Sequence, residues 1–74
     1  MNNLIIDVKT HACNNITRRL EKLKAVTLVE KRGEYWQCRE YSQIFITTTM
    51  TEGEVDHWLW TNNFDYVGVV EADK

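Results

Sequence analysis

Leu4-Ile5-Ile6-Asp7-Val8-Lys9 puts Leu4, Ile6 and Val8 on one side of an extended chain and Ile5, Asp7 and Lys9 on the other. This alternation is the mark of a half-buried strand. Over 11–24 the period changes. Cys13, Ile16, Leu20 and Leu23 recur at spacings of three and four, while Asn15, Arg18 and Lys22 fall opposite them. That spacing predicts an amphipathic helix. The chain therefore opens as strand then helix, and the fold follows from what is placed after this pair.

Val26 to Val29 is apolar and β-branched, and Lys31-Arg32-Gly33-Glu34 then supplies a glycine where a hairpin would turn, so a second strand is expected to end there. Residues 35–41 alternate again, with Trp36 and Cys38 on one face and Tyr35, Gln37, Arg39 and Tyr41 on the other. Ile44-Phe45-Ile46-Thr47-Thr48-Thr49 reads either as a further hairpin strand or as a bulged continuation of its predecessor. Thr51-Glu52-Gly53-Glu54 fits a capping box and starts a second helix. Val55, Trp58, Leu59 and Asn62 share one arc of that helix, Trp60 projects elsewhere, and Asn62-Asn63 is its natural end. Phe64 to Glu71 returns to strand composition.

The order is β-α-β-β-(β)-α-β. With right-handed crossovers it folds as a split βαβ arrangement, an antiparallel sheet carrying both helices on one face. Across residues 4–71 this order resembles the ferredoxin-like α+β fold, which hosts many functions and brings no activity with it.

Length narrows the choice further. A chain of 74 residues is short enough that one compact domain, 1–74, is expected. The longest early apolar run, Leu4-Ile5-Ile6, falls far short of the ~18 residues a membrane helix needs, so no membrane partner is expected. The opening residues lack a basic leader and a cleavage site, and Cys13 and Cys38 are too few for a disulfide scaffold. A cytoplasmic location is the corresponding expectation. Charge is uneven: residues 1–40 carry eight basic against five acidic side chains, and 41–74 carry one against six. Such polarity orients encounters with charged partners.

No catalytic grouping emerges. His11, Cys13, Cys38 and His57 have zinc-ligand chemistry without zinc-site spacing, so neither a metal nor a cofactor is expected and both cysteines are read as buried. Cys13 lies in the apolar stripe of the first helix, where burial suppresses thiolate formation. Glu54 and Asp56 flank His57 only at consecutive helical positions, which point apart. The chain is accordingly read as a non-enzyme.

Recognition is the better reading. Three tryptophans and three tyrosines are more than a thin core readily hides, and Trp58 and Trp60 sit among Glu52, Glu54 and Asp56. That acidic-aromatic grouping suits the basic surface of a larger protein, with the chain as its inhibitor or adaptor. The compactness and short connections resemble small accessory proteins of bacteriophages and other mobile elements. The candidate partner-binding residues are Trp58, Trp60, Glu52 and Asp56, joined by Tyr35, Arg39 and Tyr41 on a sheet face. Those last three carry the alternative, a single-stranded nucleic-acid-binding domain that stacks bases on its sheet. The element order is similar to that of RNA recognition motif domains, although Lys31 to Cys38 departs from that family's aromatic signature. Self-association through a strand edge is a further alternative.

Overall fold

The structure is a computed structural model that describes the backbone of residues 1–35 and 38–72 and the side chains of residues 1–31 and 40–72. Its elements are β1 (Asn2–Lys9), α1 (Thr10–Glu21), β2 (Val26–Tyr35), β3 (Cys38–Thr48), α2 (Glu52–Thr61) and β4 (Tyr66–Glu71). The strands form one antiparallel sheet in the order β2-β3-β1-β4. Element order, strand order and directions are those of the ferredoxin-like α+β fold. Among the described residues, no helix is long and apolar enough to cross a membrane.

β1 alternates as its sequence demands, with Leu4, Ile6 and Val8 at most 1% exposed. Sealed by β3 on one side and β4 on the other, it is a central strand and can bury a full row of branched side chains. These residues meet Ile44, Ile46 and Val69 from the sheet, Cys13, Ile16 and Leu20 from α1, and Val55 and Leu59 from α2. One apolar layer therefore lies between the sheet and both helices.

α1 is shorter than its periodicity predicts. Leu23 still packs on the core, but Lys22 caps the helix and the chain turns away. The carbonyl of Ala25 holds the turn by accepting Thr49 N–H at 3.0 Å and the Thr48 hydroxyl at 2.8 Å. Arg18 and Arg19 occupy the last turn of α1, where cations favour the helix dipole.

The middle of the chain corrects one expectation and decides between two alternatives. Gly33 does not turn a hairpin: it stands opposite Gln43 inside the β2–β3 ladder, which continues until Tyr35 faces Cys38. Between Lys31 and Gly33 the register slips by one residue, a bulge of the kind glycine accommodates. The segment 38–48 is a single strand, so the bulged-continuation alternative holds in place of a separate hairpin strand. The expected inward pairing of Trp36 with Cys38 lies outside the described side chains.

α2 begins as its capping box predicts. Thr51 Oγ1 accepts Glu54 N–H at 3.2 Å, and Glu54 Oε1 accepts Thr51 N–H at 2.8 Å. It ends at Asn62, whose amide donates to the Trp58 carbonyl at 2.7 Å, and Asn63 follows at φ 59, a left-handed conformation that asparagine tolerates. β4 starts at Tyr66, two residues after the predicted Phe64, because Phe64 turns inward against Trp58.

Candidate docking surface on the second helix

Two contacts fix how α2 is rotated. Trp58 is half-buried against the core, its ring centroid 5.3 Å from that of Phe64. Arg19 of α1 lies 5.3 Å over the same Phe64 ring and donates to Asn62 Oδ1 at 3.0 Å. The Trp58 side of α2 therefore faces α1. On the other flank, the Tyr66 hydroxyl donates to Asp56, at 2.9 Å to Oδ1 and 3.1 Å to the carbonyl, so that Asp56 faces β4. Burial and the Asp56 hydrogen bond together hold the Tyr66 phenol above its ordinary pKa.

Helical rotation of about 100° per residue puts Trp60 roughly 200° round from Trp58, on the flank away from α1. It is 70% exposed. Glu52, Asp56 and Trp60 are spaced at i, i+4 and i+8, and so form a single exposed stripe along that flank. The structure thus divides the four α2 residues singled out from sequence. Glu52, Asp56 and Trp60 come together, whereas Trp58 turns to the opposite flank and supports the helix from below. Glu54 is exposed, but its carboxylate is engaged at the helix cap.

The sheet's open face, opposite the helices, holds the other predicted residue within the description. Tyr41 accepts a hydrogen bond from Lys9 Nζ at 3.2 Å, and that ammonium stands 4.5 Å from the ring centroid. The contact raises the Lys9 pKa above its usual value. It is one of four β1–β3 pairs on this face, with Asn3–Thr47, Ile5–Phe45 and Asp7–Gln43. The side chains of Tyr35 and Arg39 lie outside the described residues.

No protein-family model, curated protein or solved structure matches this chain. The surface is therefore interpreted from its own residues.

Sequence reasoning missed the apolar residues that the sheet leaves in solvent. Leu28 is 56%, Val67 59% and Val70 49% exposed. Only Val70 was signalled, by the alternation against Val69; Val67, two residues before buried Val69, is exposed because the β1–β4 register shifts there. Sheet order also separates the uneven charge of the sequence. Basic α1 packs on β2 and β3, and acidic α2 packs on β4 at the far edge.

Proposed function

We propose that this chain is a small non-catalytic binding module that docks on the basic surface of a larger protein, as its inhibitor or adaptor, through the outer flank of α2. One observation carries the reading: Trp60 stands 70% exposed in line with two carboxylates. Indole rings recur at the centres of interfaces because they bury a large rigid area at low entropic cost. Glu52 and Asp56 steer basic partners toward it, and the capping box holds the helix that presents all three.

Three groups with reactive chemistry are engaged in the fold. Cys13 is buried at the α1–sheet interface, and the carboxylates of Glu54 and Asp56 accept structural hydrogen bonds. The test is capture by the immobilised protein from an extract of the cells it comes from, with and without nuclease. Proteins retained after nuclease treatment and released by salt support the reading; retention that nuclease abolishes refutes it.

A second reading, single-stranded nucleic acid on the open sheet face, draws on Tyr41 and Phe45, which stand on one face of central β3 with Lys9 against Tyr41. Asp7 and Glu30 lie on that same face and repel phosphate, which ranks this reading second.

A further inference from the structure

We infer that the free edge of β4 receives an extended strand from the partner, with basic side chains on its helix side and apolar ones on its open side. This inference rests on the α2 docking reading and names the kind of segment that docks.

Among the described residues no strand lies beyond β4, so its outer edge ends the sheet. The ladder shows which backbone groups face outward. Ala72 N–H bonds the Asn3 carbonyl at 2.9 Å, so Asn3/Ala72 is a hydrogen-bonded pair and, by alternation, so are Ile5/Val70 and Asp7/Gly68. Val69 and Glu71 then direct their N–H and C=O groups away from β1.

Proteins usually guard such edges with charge, proline or bulges. The opposite edge, β2, is guarded by Glu30 and Lys31 and by repeated register shifts. β4 has one register shift, at Val67, and beyond it the run Gly68-Val69-Val70 pairs regularly with β1 and carries no charge before Glu71. A strand added about 4.8 Å outside it continues the sheet and projects alternate side chains to its two faces. On the helix side those side chains run beneath Glu52, Asp56 and Trp60, which attract cations through carboxylate charge and the indole face. On the open side they run beside Val70.

Charge also selects the occupant. Residues 41–72 contain no lysine or arginine, so α2 and β4 carry acidic side chains and no lysine or arginine. Two copies paired β4 to β4 would set their acidic α2 flanks side by side, and that repulsion disfavours a second copy. A foreign basic strand meets the opposite sign.

The probe is the acetylated, amidated peptide Lys-Val-Lys-Val-Lys-Val, titrated into the 15N-labelled chain. Comparison arms are the same peptide N-methylated at alternate residues, in each of the two phases, and the variants Glu71→Pro and Glu71→Gln. The inference expects the Val69 and Glu71 amides to shift most and to exchange with deuterium at least tenfold more slowly at saturation. One N-methylated phase and Glu71→Pro should each weaken binding at least tenfold, while Glu71→Gln weakens it less than threefold. The N-methylated peptides leave the protein unaltered, so the result does not depend on how Glu71→Pro folds. Shifts confined to α2, with both N-methylated phases binding unchanged, overturn strand addition and leave α2 docking standing. A titration that moves neither surface also overturns the inference, and α2 docking is then judged by Trp60→Ala against a captured protein.

Discussion

Thr48 is 0% exposed, and its hydroxyl closes the junction from which α2 departs. Its Oγ1 donates to the Ala25 carbonyl at 2.8 Å and accepts Met50 N–H at 3.1 Å. Thr48→Val preserves shape but removes both bonds. The Ala25 carbonyl keeps Thr49 N–H as a donor, so the uncompensated group is Met50 N–H. Met50 is half-buried, and a fully buried amide left without a partner costs about 1–3 kcal/mol, which is the upper range here. Thr48→Ser keeps both bonds and loses one buried methyl, about 1 kcal/mol. Thr48→Ala loses both contributions, about 2–4 kcal/mol together. For a chain of this size each kcal/mol lowers Tm by about 4–8 °C. Urea and thermal denaturation followed by circular dichroism, at unchanged m, give the three values. A Thr48→Val protein as stable as the parent, beside a destabilised Thr48→Ser, would show that methyl packing and not the hydroxyl holds the junction.

Three further outcomes follow from particular contacts. Thr51→Ala removes the acceptor of the α2 capping box and should cost about 0.5–2 kcal/mol, read as a shift of the urea midpoint, whereas an unshifted midpoint refutes the role of the cap. Leu20→Ala, at a fully buried α1 position, should cost about 2–5 kcal/mol, and a loss below about 1 kcal/mol would mean that α1 is not packed as described. The Tyr66 phenol is held above its ordinary value of 10.0, so the folded state keeps that proton more tightly than the unfolded one. Its contribution to stability is full below about pH 10 and is lost as pH rises through the raised value. The stability difference between the parent chain and Tyr66→Phe should therefore hold below about pH 10 and shrink as pH rises through the raised value, and a difference that stays constant there refutes the contact.

The outline of the fold was legible because its strongest signals are local. Alternation in 4–9, the Cys13-Ile16-Leu20 stripe and the Thr51–Glu54 capping box each reflect contacts within a few residues or against one face. The Lys31–Glu34 segment misled because β2 is an edge strand. Water satisfies its outer side, so charge and a glycine that would mark a turn elsewhere are tolerated within the ladder. The end of α1 was hidden for a different reason: the Ala25 hydrogen bonds that draw the chain away come from Thr48 and Thr49, more than twenty residues on. On α2, helical spacing separated Trp60 from the buried arc. Only the contacts with Phe64 and Tyr66 showed which flank faces α1 and which faces β4. That β4 is an edge strand depends on sheet order, and the exposure of Val67 depends on a register shift, neither of which a local pattern encodes.

The central claim is that an exposed indole on the outer flank of α2 holds a partner protein. Its most direct test is the affinity of a captured protein, measured by calorimetry, for the parent chain, Trp60→Ala and Phe45→Ala, each shown to be folded by its amide spectrum. The account predicts that Trp60→Ala loses at least 2 kcal/mol of binding, about thirtyfold, while Phe45→Ala on the open sheet face binds within about threefold of the parent. Parent-like binding by Trp60→Ala together with loss in Phe45→Ala would contradict it and move the interaction to the opposite face of the sheet.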